Sequence, residues 1–354
     1  MDEKNPSKID LNPQMPKETE NVSSRSKSKK AISEIVISAM MLALSLVLKG
    51  FAELFPFLNF PQGGSITVIL VPLVLCALYC GPVWGTVIAV AFGLFDLLWD
   101  GAIGWFANPF AALVCSLLDY VIAFGIIGLA SLFRKQFFEK KTYAPLVALL
   151  GVGLLRFVSH FFSGVIVFNN LTAYDGDGLV TAITPDFSSA SVTYSIVYNG
   201  AYMFPTIALS LIVMALLLKP IYTTFNLPWI KVLEPKNLDV KDVADDTTQD
   251  ILDSLLPYLE GAFSLLAIWS MVPSSDTLGG KLVTKMANLG YFSLLLAVVL
   301  DIYLGVRLYQ ALKKNDKAKA KTYVLYLLLS LVVIGLSIGG IVSQYTYGAA
   351  PAED

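Results

Sequence analysis

One histidine, His160, stands in a chain of 354 residues. That scarcity excludes a multi-histidine metal site and the H-E-x-x-H pattern of zinc proteases, both of which need at least two imidazoles. Cysteine is nearly as rare. The three present, Cys76, Cys80 and Cys115, fall in or beside apolar segments. They form neither the disulfide framework of a secreted scaffold nor a zinc ligand set, and read as packing residues. The phosphate-cradling G-x-x-x-x-G-K-[ST] loop is also missing, because "GGK" at 279–281 lacks the first glycine at the required spacing. The chain therefore has no P-loop ATPase site of its own. No nucleophile-and-base signature stands out, so the chain is expected not to be an enzyme, with no metal, cofactor or nucleic-acid partner.

Charge is sparse, at 15% of residues, while 56% are hydrophobic. Apolar runs of membrane-spanning length recur along most of the chain, the composition of an all-α, polytopic helical membrane protein. Six spans are expected at 31–50, 66–79, 83–99, 110–133, 143–168 and 192–218. Three further apolar stretches lie near 251–273, 289–311 and 322–345, of which the first is interrupted by Pro257 and Glu260. No internal repeat is found, so nothing points to the inverted-repeat design of many secondary transporters.

Residues 1–30 are polar and lack the apolar core of a signal peptide, and read as a disordered tail. Their end, "SRSKSKK", directly precedes the first span, which places the N-terminus in the cytoplasm. The basic stretches "FRKQFFEKK" and "RLYQALKKNDKAKAK" fall where an even number of crossings returns the chain to that side. The run "EPKNLDVKDVADDTTQD" marks a boundary, so 221–250 reads as a charged cytoplasmic linker and 251–354 as a separate extension.

Polar groups then share a depth. At ~1.5 Å per residue, Asp119 lies roughly 14 Å below the outer end of the fourth span and His160 roughly 12 Å below that of the fifth. Tyr194 and Asn199 occupy the first two turns of the sixth. Ionisable groups at such depth are costly and face a cavity or a partner. Ser163 and Gly164 sit one turn beyond His160, leaving room for a flat group to approach the backbone. Two readings stand side by side. The groups line a ligand pocket, or they serve helix packing: Asp119 neutralises Arg156, His160 satisfies a neighbouring helix, and Tyr194, Tyr198 and Tyr202 form an interfacial belt.

The segments "FPQGGSITVILVP", "SLLDYVIAFGIIGLASLF", "RFVSHFFSGVIVF" and "YSIVYNGAYMFP" resemble the thiamine-specific substrate-binding subunit (S component) of energy-coupling factor vitamin transporters. The resemblance covers about residues 31–220, with His-x-x-x-Gly and Tyr-x-x-x-x-Asn as its most specific elements. It implies a six-helix S-component core in the plasma membrane. Such a subunit captures thiamine from outside and works with a transmembrane coupling protein and two cytoplasmic ATPases. Carried over, the family's ligand contacts fall on Asp119, Tyr120, His160, Gly164, Phe168, Tyr194 and Asn199. The loop that closes over the vitamin falls on 60–65, with Gly63 and Gly64, and Trp105 is added as a stacking partner. The coupling-protein docking face falls on Ala39 and Ala43 of the first helix, an A-x-x-x-A spacing that permits close helix approach. Alternatives are an S component for another vitamin such as riboflavin, or a stand-alone proton-coupled carrier using Asp119 and His160 as its relay.

Overall fold

The computed structural model describes residues 17–55, 58–60, 63–168, 185–236 and 280–347, with the single positions 238, 253, 256, 264 and 267. Among the described residues it is helical without strands. The principal helices are α1 (Lys17–Glu53), α2 (Leu70–Cys80), α3 (Pro82–Trp99), a composite α4 (Pro109–Phe138), α5 (Tyr143–Ile166), α6 (Ser189–Thr223), α7 (Gly280–Lys313) and α8 (Lys317–Tyr347). Every one of these except α2 contains a stretch long and apolar enough to cross a membrane.

Local signals set the boundaries. Gly81, at φ +89°, makes the turn between α2 and α3, and Pro82 opens α3 at a position where its missing N–H removes no ladder bond. Asn108 caps α4 by accepting from the Phe110 amide at 2.9 Å, again with a proline in the first turn. Ser188 caps α6 in the same way.

Three expectations need correction. First, α1 is already helical from Lys17, so much of the stretch expected to be a disordered tail is helix, although only Ser26–Glu53 qualifies as a span. Second, the helix expected over 66–79 is shorter and cannot cross by itself. α2 has 11 residues, about 16 Å of helix, roughly half a ~30 Å hydrocarbon core. Each of its residues is buried, and α1, α3, α4, α5 and α6 pack around it. An extended segment leads into it, and its backbone is satisfied by protein. Phe60 N–H donates to Gly64 C=O and Ile66 N–H to Leu58 C=O, both at 2.9 Å. Thr206 of α6 accepts from the Thr67 amide and donates to the Ser65 carbonyl, each at 3.3 Å. Irregular backbone at membrane depth is tolerated only when protein covers it in this way. Third, the segment expected to be a charged linker from 221 begins as packed structure, with Phe225, Ile230 and Leu233 buried.

Beyond the core, α7 and α8 lie along each other, joined by a turn with Asn315 at φ +56°. Ser337 donates to Ser293 across this pair at 2.9 Å. The expected apolar stretch 251–273 falls almost wholly outside the described residues. Asp253 is described, and its carboxylate accepts from Tyr303, Arg307 and Tyr323, which ties it to both helices.

Arg134, on α4, fastens one end of the bundle. Its guanidinium donates to the Tyr79 carbonyl at the end of α2 (3.0 and 3.3 Å) and to the Leu233 carbonyl, and lies 5.4 Å over the Phe138 ring. Replacing Arg134 with Met leaves these buried acceptors without a donor, at about 1–3 kcal/mol each. Thermal melting of purified Arg134→Met protein should show a drop of several degrees, with ligand affinity of the surviving protein little changed.

Candidate functional site

The site begins with an irregularity in α4. The helix is α-helical over Pro109–Cys115, widens to a π-helical segment over Ser116–Ile122 and tightens to 3-10 geometry over Ile126–Phe133. π segments give up ladder geometry and occur frequently at functional sites. This one carries Asp119 and Tyr120, and Ser159 of α5 donates to its Leu118 carbonyl at 2.5 Å.

The Asp119 carboxylate accepts from His160 Nδ1 at 2.8 Å, Ser163 Oγ at 2.5 Å and Cys115 Sγ at 3.3 Å. An ionised carboxylate only accepts, so the shared proton sits on Nδ1, and in the neutral ring Nε2 is then an acceptor. His160 Nε2 is buried with no hydrogen-bond partner among the described residues. The Asp119–Arg156 ion pair weighed above does not form. Arg156 instead lays its guanidinium 4.3 Å over the Phe124 ring, a cation–π contact, and its Nε is buried without a partner.

These groups line one cavity. All ten residues expected to bind substrate border it: Gly63, Gly64, Trp105, Asp119, Tyr120, His160, Gly164, Phe168, Tyr194 and Asn199. Their local roles differ from one another. Gly63 and Gly64 have φ of +81° and +87°, a region that favours glycine, and a Cβ on either would fall 2.7–2.8 Å from Trp105 or Tyr202. The tyrosines are no interfacial belt: Tyr198 and Tyr202 are buried, donating to the Gly63 carbonyl at 3.0 Å and to Asn199 Oδ1 at 2.9 Å. The Asn199 amide nitrogen in turn donates to the carbonyls of His160 (3.1 Å) and Ser195 (3.0 Å), so its donors are spent within the protein. Beside Gly164 there is no open floor for a flat group. A Cβ there would meet Ser195 Oγ at 2.1 Å, so the missing side chain lets α6 close on α5.

Sequence reasoning missed four charged members of the wall, Lys49, Asp96, Asp100 and, as a cavity group, Arg156. Their signal was available, since each lies within or at the end of an apolar helix, where an ionisable group needs a partner or a cavity.

A bundle of membrane-length helices with a partly polar, aromatic-walled cavity defines a polytopic helical membrane protein with an internal cavity. The sequence profile described as "Thiamine transporter protein" matches residues 35–226, more than half of the chain, and the chain belongs to that family. The thiamine transporter ThiT of Bacillus subtilis (strain 168) is 32% identical over 197 residues, spanning 53% of this chain and 91% of that protein. The profile match ends before α7 and α8, which lie beyond it.

The Gly164 contact gives a direct test. Gly164→Ala overpacks the α5–α6 seam and should destabilise by about 1–3 kcal/mol. Adding Ser195→Gly removes the clashing atoms, and the double variant should recover most of the lost melting temperature.

Proposed function

We propose that this chain captures thiamine from outside the cell as the S component of an energy-coupling factor transporter, in the plasma membrane with its N-terminus cytoplasmic. The observation that carries this reading is the Asp119–His160 pair, which lines the cavity of a thiamine-transporter family member and leaves the buried His160 Nε2 without a partner among the described residues. The aminopyrimidine of thiamine offers an amino group and ring nitrogens, which match an imidazole acceptor and a carboxylate set side by side. Its thiazolium is cationic and suits aromatic faces, here Trp105, Phe168 and the stacked pair Tyr194–Tyr198, whose centroids lie 5.8 Å apart. Tyr120, Gly63 and Gly64 complete the pocket, with the 60–65 loop, of which 61 and 62 lie outside the described residues, as its cover. Asn199 supports it by holding the α5 backbone at His160.

With no P-loop of its own, the chain relies on a transmembrane coupling protein and two cytoplasmic ATPases to drive transport. Ala39 and Ala43 are both exposed on α1 and supply the small-residue docking face. Residues 31–220 form the vitamin-binding core, and the helices beyond it have no part in this reading.

Asp119→Asn keeps the shape and removes the charge. Losing a charge-assisted contact should weaken thiamine binding by roughly 1.5–3 kcal/mol, about 10- to 150-fold in Kd. The melting temperature without ligand should also fall, because the carboxamide nitrogen cannot accept the bonds that a carboxylate oxygen now takes from His160 or from Ser163 and Cys115, so affinity is read on the folded fraction. Titration by tryptophan fluorescence beside a melting curve checks both; unchanged affinity would remove Asp119 from the contact set. Ala39→Trp with Ala43→Trp should separate two activities, leaving thiamine binding intact while abolishing ATP-dependent uptake in cells that contain the coupling protein and ATPases. Uptake at the level of the unsubstituted chain would refute the docking face.

A further inference from the structure

The α1–α3 side of the cavity holds a charged cluster to which the reading above gives no role. Lys49 Nζ lies 3.0 Å from Asp96 Oδ1, 3.0 Å from Asp100 Oδ1 and 3.1 Å from Glu53 Oε1. Tyr120 donates to the other oxygen of Asp100 at 3.0 Å. Only 3% of the Lys49 side chain is exposed, against 12% for each aspartate. A structural ion pair needs one carboxylate for one ammonium. Here three carboxylates surround one ammonium, and burying the surplus is unfavourable unless something else uses it.

Asp96 and Asp100 both border the cavity. Among its described lining residues, two cations, Lys49 and Arg156, face three carboxylates, Asp96, Asp100 and Asp119, a formal charge of −1 with His160 uncounted. Among the described residues the same wall carries three buried polar atoms that make no hydrogen bond, Arg156 Nε, His160 Nε2 and Asp96 Oδ1, the last of which has the ion pair with Lys49. The cavity is thus built to receive a ligand, and one positive charge brings it to neutrality. Consecutive residues of the π-helical segment join its two sides, Asp119 bonding His160 and Tyr120 bonding Asp100.

We propose that Asp96 and Asp100, held by Lys49 and Tyr120, are specificity-determining residues that admit the monocationic vitamin and reject its phosphate esters. The inference rests on the thiamine reading of the cavity. Esterifying the hydroxyethyl arm adds about −1.5 to −2 charges near neutral pH. That turns a ligand that balances the cavity into one that deepens its negative charge, and like charges in a water-poor site repel strongly.

The test uses the purified full-length protein in detergent, titrated with thiamine and with thiamine monophosphate by tryptophan fluorescence. The unsubstituted protein should prefer thiamine by at least about tenfold. Asp96→Asn and Asp100→Asn each remove surplus negative charge, so both should fold, and each should lower the monophosphate-to-thiamine Kd ratio several-fold. Asp100→Glu, which keeps the charge, should hold the ratio. Equal affinity of the unsubstituted protein for the two ligands overturns the proposal whatever the variants do. A ratio that does not move in both carboxamide variants overturns it while leaving thiamine capture standing. Failure of the unsubstituted protein to bind thiamine overturns both.

Discussion

A carboxylate carried into the membrane by an apolar helix must be met by donors, and Asp119 is met from two helices at once. The bond from His160 fixes α4 against α5, and Ser163, one turn on, secures the register. The remainder of the wall follows from that alignment. α6 closes on α5 at Gly164 and brings Asn199 to the His160 carbonyl. Tyr202 is held by Asn199, and the left-handed glycines of the 60–65 loop seat on Tyr202 and Trp105. Each contact presupposes the one before, so the imidazole is oriented by a chain of neighbours. Pre-organisation of this kind lowers the ordering entropy that a ligand would otherwise have to overcome.

The second organising feature is the uneven distribution of charge. Arg156 has an aromatic ring in place of a carboxylate partner, while Lys49 has three carboxylates. Neither arrangement is the most stable way to bury a cation, since matched or apolar replacements of buried charge are commonly neutral or stabilising. Both occur on the cavity wall, where a site can hold unbalanced charge because the ligand completes it.

The sequence was most legible where the membrane itself imposes the pattern. Apolar runs located α1, α3, α4, α5 and α6, and the resemblance carried ten residues onto one cavity wall. It failed where protein, rather than lipid, is the solvent. α2 reads as a span because a fully buried helix is as apolar as a lipid-facing one, and nothing in its composition reports that it is half the needed length. The π widening at Ser116–Ile122 leaves no mark on hydropathy, since it depends on where α5 places Ser159 and Ser163. Lys49 lies at the end of the 31–50 apolar run, where charge is ordinary; only the fold shows Asp96 and Asp100 brought to it. Gly164 was read as an opening, and whether the gap beside a glycine is filled is a property of the partner helix.

The buried α2 and its extended approach carry a consequence for how the chain is made. A nascent segment leaving the insertion machinery enters lipid with whatever neighbours already exist. Ser65 and Thr67 take their hydrogen-bonding partner from Thr206, some 140 positions later in synthesis. Until α6 has been translated, this stretch of backbone has no settled place in the hydrocarbon. The central helix of the bundle is thus among the first segments synthesised and among the last to reach its final surroundings, and biogenesis must shelter it in the interval.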